Sequence, residues 1–358
     1  MEQIDTTSRL QIENSRRERL RKEKPLVYEK IIGYEKKTAR GEPTPVVDFT
    51  YDYACNMHCA HCSNACFTEK KRVLTLEDLR GLSRQADELG LAQFVVSGGE
   101  PLVFPDLDDI ITALDPTKFH IAMSTNGLLL TKERAVHLKE IGLDKVKLSL
   151  DSLDEETYNQ TRQQSGAYNK AIQGIMNARE AGLQVAIGAL VTHQNCISEN
   201  TERLARFAHE NEMNMDVYGA KAIGRWEGKE EILLETGDID YLVQLRNQYP
   251  EVHCDFFPTY GKCGGCNAVK GAVHITKYGD VLPCVFIHIS IGNIFEERLE
   301  DILNRGFRIK WFRSHPICLS GVDRNFIRNY MSKFYGKPLP ISWREAFTEE
   351  DFIDGVMA

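Results

Sequence analysis

The sequence predicts an α/β protein: a partial (β/α)6 TIM-like barrel followed by a smaller cysteine-rich C-terminal domain. First, strand-like and helix-like segments alternate about six times between residues 46 and 225, at the spacing of repeated βα units with a parallel sheet. Second, near residue 236 short strand-like pieces rich in Gly and Cys replace this alternation. Third, polar motifs follow the predicted strands, and chemistry in such folds gathers at the carboxyl ends of strands. Six repeats are fewer than the eight of a closed barrel, so an open barrel is expected.

The individual elements follow from local composition and spacing. Strands are predicted where β-branched and aromatic residues cluster, over 46–51, 94–96, 120–124, 145–150, 184–191 and 215–220. Helices are predicted from the spacing of apolar residues, over 76–89, 107–114, 131–141, 168–181 and 200–211. The first of these helices has Thr75 as its expected N-cap and Gly90 as its C-terminal stop.

We divide the chain into three parts. Residues 1–45 form an N-terminal extension and connector, 46–235 the barrel, and 236–358 the cysteine-rich domain with a C-terminal tail. Residues 1–24 are dense in Arg, Glu and Lys, and we expect a solvated extension there, with helix-forming sequence from Ser8 to Lys22.

Composition limits the functional class. The 358 residues are 42% hydrophobic and 27% charged, which is typical of a globular protein in water. The net charge of −8 does not favour a nucleic-acid partner or an anionic membrane surface. No apolar run reaches the length of a membrane span, and the charged segment Met1 to Lys24 is unlike a signal peptide. We therefore expect a cytoplasmic protein with no nucleic-acid or membrane partner.

Nine of the ten cysteines are grouped rather than scattered, and Cys196 stands alone. In a cytosolic chain of this length, grouped cysteines indicate metal binding or catalysis more often than disulfides. The two groups and the two cysteines that follow them are Cys55, Cys59, Cys62 and Cys66, then Cys254, Cys263 and Cys266, then Cys284 and Cys318. The alternative is a set of buried thiols without a metal.

The first cysteine group lies in a loop directly after the first predicted strand, residues 53–62, which we call the cysteine loop. Three residues separate Cys55 from Cys59, and two separate Cys59 from Cys62. Three thiolates in this arrangement can hold three irons of a [4Fe–4S] cluster and leave the fourth iron open to an outside ligand. A zinc ion would instead need four protein ligands, and Cys66 or His58 could supply the fourth.

A second motif, Gly98-Gly99-Glu100-Pro101, follows the second predicted strand, and we call it the GGEP turn. Its two glycines allow the backbone to approach a ligand closely. Glu100 offers an acceptor for a cation such as an amine. Taken alone, the motif could be an ordinary strand-to-helix turn.

The cysteine loop, the GGEP turn and the alternating βα units together resemble the radical S-adenosylmethionine (SAM) superfamily, over about residues 46–225. The resemblance implies that Cys55, Cys59 and Cys62 ligate a [4Fe–4S] cluster whose open iron is chelated by the amino and carboxylate groups of SAM. It also implies that the GGEP turn binds the methionine amine. In this family, reductive cleavage of SAM gives methionine and a 5′-deoxyadenosyl radical, which takes a hydrogen atom from an unactivated C–H bond.

Further cofactor-binding positions are implied by the same resemblance. His61 stands where the family places an aromatic residue near the adenine, and Ser124 and Asn126 lie in a segment that resembles its ribose-contacting segment. Ser149 follows at the next strand end. Arg162 resembles an arginine that pairs with the SAM carboxylate in several branches, and the alternative for it is a solvated surface charge.

The C-terminal cysteines resemble a second cluster site. Twelve residues separate Cys266 from Gly279, and four separate Gly279 from Cys284, as in the auxiliary-cluster motif of the SPASM and twitch subfamilies. Only Cys318 follows Cys284, so a twitch-type or shortened SPASM domain with one auxiliary [4Fe–4S] cluster is implied. The ligand set implied by this resemblance is Cys263, Cys266, Cys284 and Cys318.

Two alternatives stay open for the auxiliary site. Cys254 could replace Cys263 or Cys318 as a ligand, which would leave an open position for substrate on this second cluster. A structural zinc site would also use grouped cysteines.

Three further side chains are candidates for contact with the substrate. Cys196 follows the strand at 184–191, and a thiol at the barrel mouth could give a hydrogen atom to a substrate radical; the alternative is a loop cysteine without a role. Tyr218 and Lys221 lie on the last predicted barrel strand and point to opposite sides, so one of them is a candidate to reach the substrate.

The favoured function is a radical SAM enzyme that abstracts hydrogen from a polar small molecule, leading to dehydrogenation, epimerisation or elimination. One auxiliary cluster and a short N-terminal extension favour it. The alternative is a maturase that crosslinks, epimerises or oxidises a ribosomally made peptide. A non-catalytic iron–sulfur or zinc protein is disfavoured by the GGEP turn and the barrel-like repeat. The resemblance also implies an electron donor of the flavodoxin or ferredoxin type.

Overall fold

A computed structural model of the chain describes residues 6–40, 42–255, 265–313, 315–353 and 355. Its strands are β1 Val46–Thr50, β2 Gln93–Ser97, β3 His120–Thr125, β4 Lys145–Ser149, β5 Gln184–Val191, β6 Asn214–Gly219, β7 Val252–Cys254, β8 Ala272–Ile275, β9 Asp280–Leu282, β10 Ile289–Ser290, β11 Gly292–Asn293 and β12 Ile341–Ser342.

The helices alternate with the strands through the first two thirds of the chain. They are α1 Thr6–Glu23, α2 Pro25–Ala39, α3 Leu76–Glu88, α4 Leu107–Ala113, α5 Lys132–Glu140, α6 Glu155–Arg162, α7 Ala167–Glu180, α8 Glu199–Glu210, α9 Thr236–Gln248, α10 Leu299–Arg308, α11 Lys310–Arg313, α12 Arg324–Asn329 and α13 Trp343–Ala346.

The sequence-predicted helices begin and end where local chemistry requires. Thr75 caps α3 by accepting from the backbone N–H of Asp78, whose carboxylate accepts from Thr75 in return. Gly90, at φ +66°, ends the same segment in the left-handed region. The sequence did not identify α6, which begins at Asp154 as N-cap and carries Arg162 at its end.

The sheet confirms the predicted parallel βα core and extends beyond it. Strands β1 to β6 are parallel neighbours in chain order, β7 adds to β6, and β8 adds to β1 in the same direction. The expectation that the alternation stops near residue 236 is wrong, because α9 and β7 supply one more βα unit. β7 is only three residues long, which is too short for a periodic signal.

Side chains on β4 and β6 alternate between a buried outer face and a partly exposed inner face. In β4, Val146 and Leu148 are fully buried under the helices, while Lys145, Lys147 and Ser149 are half-buried on the concave side. Strand β6 shows the same alternation. We call the space on the concave side the lumen. In closed eight-stranded barrels this space is filled by bulky branched side chains, whereas here polar side chains face it.

The two N-terminal helices cover the amino-terminal edge of the sheet. The segment from residue 25, expected to be a connector, forms α2 instead, because its apolar residues pack on the barrel and its lysines find partners there. Lys24 Nζ lies 2.5 Å from Asp144 Oδ2, just before β4. Arg16 Nη2 donates to Asn214 Oδ1 at 2.5 Å, at the start of β6. This end of the lumen is therefore closed by side chains from the N-terminal extension.

The C-terminal tail docks on the body, as expected. Aromatic residues of α12 and the segments around it pack together. The ring of Tyr330 contacts that of Trp311 at 5.2 Å and that of Phe347 at 5.3 Å between centroids. Among the described residues, no helix combines the length and apolar character that crossing a bilayer requires.

Candidate functional site

The cysteine loop and the GGEP turn are locked together through their backbones. Gly99 N–H donates to the carbonyl of Asp52 at 3.0 Å, and Glu100 N–H donates to the carbonyl of Ala54 at 2.8 Å. A Cβ atom at Gly99 would lie 2.1 Å from the Ala54 carbonyl oxygen, closer than real Cβ contacts allow. Gly98 has φ +130°, which L side chains rarely adopt. The two glycines are therefore required by the contact between turn and loop.

None of the three thiols of the loop is in a disulfide, and all three residues are at least partly exposed. Cys55 is exposed, and Cys59 and Cys62 are partly exposed. Burial of the sulfur raises the pKa of Cys55, and the charges of Glu100 and of the other two cysteines raise it further. In the described part of the chain, no three side chains of the Cys, His, Asp or Glu type converge as ligands of a single metal ion would.

The second half of the loop is held by neighbouring elements. Ala60 N–H donates to the carbonyl of Thr161 in α6 at 3.2 Å, and Arg225 N–H donates to the carbonyl of Cys62 at 3.2 Å. Gly224, at φ +59°, allows that approach, because a Cβ there would lie 2.4 Å from the Cys62 carbonyl oxygen. The cysteine loop, which follows β1, is therefore held in place by α6, which follows β4, and by the segment around Gly224, which follows β6.

Glu100 links the GGEP turn to the end of β3. Its carboxylate is 1% exposed and accepts from Thr125 Oγ1 at 2.5 Å, Asn126 N at 2.6 Å and Leu102 N at 3.1 Å. Burial raises the pKa of Glu100 to about 7, since the three hydrogen bonds offset the desolvation only in part. The carboxylate that the sequence assigned to a ligand amine is thus engaged by protein donors, and Glu100 acts here as a positioning residue.

The predicted ribose-contacting positions lie at the adjacent strand ends. Asn126 Nδ2 donates to Asn56 Oδ1 of the cysteine loop at 2.7 Å. Ser124 and Ser149 are half-buried on the lumen face of β3 and β4. The Ser149 carbonyl accepts from the Tyr158 hydroxyl at 3.0 Å. The structure therefore brings these residues to the same end of the barrel as the cysteines.

Arg162 is buried beside the cysteine loop. It is 7% exposed, its Nη2 lies 2.6 Å from Asp151 Oδ2, and its Nη1 lies 3.7 Å from Cys59 Sγ. The Arg162 guanidinium and the Asp151 carboxylate are within ion-pair distance. They are not aligned for a hydrogen bond, because Asp151 Oδ2 has no hydrogen-bond partner among the described residues. Arg162 Nε also has none within that part of the chain. The alternative of a solvated surface charge is wrong, because the helix end turns this side chain inward.

His61 presents a neutral ring next to the same cysteines. Its ring centroid lies 5.7 Å from that of Trp226, at an interplanar angle of 53°. Burial, with the charge of Arg162, lowers the pKa of His61 to about 4, so the imidazole is neutral at physiological pH. Its Nδ1 is buried without a hydrogen-bond partner in the described ranges. The ring can therefore serve as a flat, uncharged contact.

Three of the expected auxiliary ligands lie together. Cys266 and Cys318 are buried, Cys284 is nearly so, and each carries a free thiol. Burial raises the pKa of Cys266 to about 11, with a further contribution from Cys318. Burial also raises the pKa of Cys284, and Cys266 and Cys318 add to the effect. Cys263 lies outside the described residues.

Cys254, the alternative auxiliary ligand, is buried at the end of β7 with 1% exposure. The choice of Cys254 or Cys263 as the fourth ligand stays a prediction.

Of the two substrate candidates, Tyr218 lies on β6, whereas Lys221 lies two residues beyond the end of that strand. Tyr218 faces the lumen, half-buried. Lys221 is 5% exposed, with Nζ 2.7 Å from Asp255 Oδ2, and its charge acts on Cys284 and Cys318. Lys221 thus belongs to the surroundings of the auxiliary cysteines, a placement that the sequence could not give.

Cys196 requires a correction. The expectation of a hydrogen-donating thiol at the barrel mouth is not supported, because Cys196 is fully buried in the hydrophobic core. Its sulfur lies 3.8 Å from the carbonyl oxygen of Asp238 in α9. Burial raises the pKa of this thiol to about 12. The missed helix α9 covers the position that the sequence left open.

We expect the Glu100→Gln variant to lose about 1–3 kcal/mol of unfolding free energy at pH 8, because an amide cannot accept at both oxygen positions and leaves a buried donor unsatisfied. Urea unfolding of the variant and the wild type measures the difference. Glu140→Gln, on the exposed face of α5, is the matched control and should change stability by less than about 0.5 kcal/mol. Equal stability of Glu100→Gln and the wild type would contradict the positioning role.

Two family models match the chain. The Radical SAM superfamily model matches residues 52–207. The SPASM model, described as an iron–sulfur cluster-binding domain, matches residues 266–321. The first match contains the cysteine loop, the GGEP turn and β2 to β5, and the second contains Cys266, Cys284 and Cys318.

Curated relatives carry several different activities in their names. A probable GTP 3',8-cyclase of Methanosarcina acetivorans is 28% identical over 295 residues, which are 75% of this chain and 86% of the relative. The PqqA peptide cyclase of Rhizobium meliloti is 26% identical over 268 residues, 70% of this chain and 71% of the relative. A probable GTP 3',8-cyclase of Methanocella arvoryzae is 37% identical over 129 residues, 36% of this chain and only 41% of the relative.

Solved structures support the fold. SuiB of Streptococcus suis, bound to the precursor peptide SuiA, superposes with a TM-score of 0.59 at 20% identity. The superposition covers 75% of this chain and 67% of SuiB. The parallel barrel with a C-terminal cysteine-rich domain is thus a known architecture.

Proposed function

This chain is a radical SAM enzyme with a C-terminal SPASM domain, and from that premise we propose that it abstracts a hydrogen atom from a polar small-molecule substrate held in the barrel lumen. The observation that carries the proposal is the backbone lock between the cysteine loop and the GGEP turn. It presents three thiols, none of them in a disulfide, beside one end of a polar lumen. The products would arise by dehydrogenation, epimerisation or elimination.

The residues present fit a [4Fe–4S] cluster and SAM. Cys55, Cys59 and Cys62 lie on one loop and none is in a disulfide. The buried Arg162 Nε and His61 Nδ1 beside them have no hydrogen-bond partner among the described residues. When bound, the cluster and SAM supply a 5′-deoxyadenosyl radical by one-electron cleavage of a C–S bond.

The protein's own part is to hold and orient. The GGEP turn offers backbone groups to the methionine end of SAM, while Glu100 fixes the β3 end that carries Asn126. His61 offers a neutral ring to the adenine, and Arg162 offers a buried cation to the carboxylate. A barrier is lowered chiefly by such positioning, because the reacting atoms must meet at close distance and in the right direction.

The polar lumen supports the choice of a polar substrate. Its half-buried side chains include hydroxyls, carboxylates and amines, which together suit a hydrogen-bonding molecule better than an apolar one. The alternative is a maturase of a ribosomally made peptide, which the PqqA peptide cyclase relative favours. Transfer of deuterium from a labelled substrate into 5′-deoxyadenosine distinguishes the two once candidate substrates are tested.

The remaining parts of the proposal concern the C-terminal region and the surroundings. We place one auxiliary [4Fe–4S] cluster on Cys266, Cys284 and Cys318, with Cys263 or Cys254 as the fourth ligand. A flavodoxin or ferredoxin would deliver the electron, in the cytoplasm. The division at residues 45 and 235 stays a prediction.

Anaerobic reconstitution tests the two-cluster assignment. We expect about eight irons and about eight sulfides per chain, since each [4Fe–4S] cluster contains four of each. We also expect 5′-deoxyadenosine when SAM and a strong reductant such as dithionite are added. About four irons per chain would overturn the auxiliary cluster. Zinc in place of iron, or no 5′-deoxyadenosine, would overturn the proposed function.

A further inference from the structure

The lumen contains a cluster of charged side chains that the cofactor site does not use. Lys145 and Lys147 project from β4 on its concave side, and Asp216 projects from β6 on the same side. The register supports this placement, because Lys147 pairs with Ala186 of β5, and Gly188 of β5 pairs with Asp216. The two intervening residues on β5 are small, so side chains of β4 and β6 can approach one another across β5, as the Tyr218 ring does over Gly188.

The charges in this cluster act on one another. Burial alone would raise the pKa of Asp216, but the charges of Lys145, Lys147, His253 and Arg16 outweigh it, and the pKa is lowered. Burial lowers the pKa of Lys145 to about 8. The three lumen groups therefore lie near enough to interact, with two lysines facing one carboxylate.

Neither lysine is fixed by a protein partner. Within the described ranges, Lys145 and Lys147 form no hydrogen bond and no ion pair at contact distance. Half-buried ammonium groups without a partner are costly, so they do not serve the stability of the barrel. A lumen built for packing alone would hold branched apolar side chains at these positions.

The cluster lies directly next to the proposed cofactor face. Lys147 pairs with Ser124 of β3 across the sheet, and Ser124 is one of the residues expected to contact SAM. Below the cluster, Arg16 and Asn214 close the amino-terminal end of the lumen. A molecule that entered from the cofactor side would meet the two ammonium groups before reaching the closed end.

We propose that Lys145 and Lys147 bind an anionic oxygen group of the substrate, a phosphate or a carboxylate, at the base of the lumen. This inference rests on the proposed function and makes the substrate an anionic small molecule. An anion here supplies the missing partner for the second lysine, since Asp216 can balance only one positive charge. Lysine is a common ligand of phosphate as a point charge, and it binds carboxylates in the same way. The hydrogen to be abstracted would lie on the part of the molecule that faces Ser124 and the cysteine loop.

Calorimetric titration of the reconstituted enzyme with inorganic phosphate and, separately, with succinate tests the site. We expect saturable binding of at least one of the two anions. Lys147→Gln should weaken that binding by about tenfold or more, because a charge-assisted hydrogen bond is lost. Lys147→Arg should retain binding, because it keeps a positive charge at this position. Retained binding would show that the charge is what binds the anion. Lys170→Gln, on the exposed face of α7, is the matched control and should bind as the wild type does.

The possible results distinguish a phosphate substrate from a carboxylate substrate, and both from the absence of an anion site. Binding of phosphate alone indicates a phosphate ester, and binding of succinate alone indicates a carboxylate substrate. Absence of binding of both anions, or equal affinity of Lys147→Gln and the wild type, overturns the anion site. Failure of the wild type to form 5′-deoxyadenosine while it still binds the anion overturns the proposed function and leaves the anion site standing.

Discussion

Replacing Cys55 with alanine will abolish formation of 5′-deoxyadenosine and lower the iron content from about eight to about four atoms per chain. The loss is complete because two thiolates on the loop leave two irons without protein ligands. Iron and sulfide analysis after anaerobic reconstitution, and chromatography of the SAM cleavage products, measure the two effects. A variant that retains both iron and cleavage contradicts the assignment of the cysteine loop.

Cys196→Ala is the matched control for this prediction. It also removes one thiol, but that thiol is buried in the core against the Asp238 carbonyl. We expect unchanged iron content and unchanged SAM cleavage, with a stability loss of about 1 kcal/mol from the small cavity. If Cys196→Ala lost iron as Cys55→Ala does, the iron loss would reflect general damage and not a missing ligand.

Replacing Gly99 with alanine will separate the GGEP turn from the cysteine loop. The added Cβ would lie 2.1 Å from the Ala54 carbonyl oxygen and 2.5 Å from the Tyr53 carbonyl oxygen, and both are backbone atoms that cannot rotate away. We expect a loss of about 2–4 kcal/mol in unfolding free energy, together with SAM affinity reduced by about a hundredfold or more. Urea unfolding and calorimetric SAM titration measure these two quantities.

Gly33→Ala provides the comparison. Gly33 lies inside α2, and a Cβ there would meet no atom within 4 Å. This change should leave SAM affinity unaltered and stabilise the helix by about 0.5–1 kcal/mol, since alanine loses less backbone entropy than glycine. SAM affinity of Gly99→Ala within a factor of two of the wild type would show that the turn does not shape the cofactor site.

Much of the cofactor site could be predicted from the sequence because its parts are contiguous. The cysteine spacing and the GGEP turn are each a few residues long, so their chemistry can be recognised without knowledge of the fold. The alternation of strands and helices placed both motifs at strand ends, and the parallel order of β1 and β2 brings those ends side by side. The lock between them then follows from adjacent strands.

Other features depended on contacts between distant parts of the chain. The Glu100 carboxylate could not be identified as a positioning group before β3 was placed against the turn. Arg162 required α6, whose end turns the guanidinium toward Cys59. Cys196 was misplaced because α9 was not foreseen. In each case the deciding partner lies at least 25 residues away.

The sequence by itself determined the cysteine spacing of the loop, the parallel βα core and the presence of a second group of cysteines. Those properties depend on short spacings and on local periodicity, which survive without tertiary contacts. Only the tertiary structure decided which side chains face the lumen, because the inner and outer faces of a strand differ by one residue in register. That register placed Lys145 and Lys147 of β4 on the same face of the sheet as Asp216 of β6, about 70 residues later in the chain. Local sequence alone could not predict this proximity.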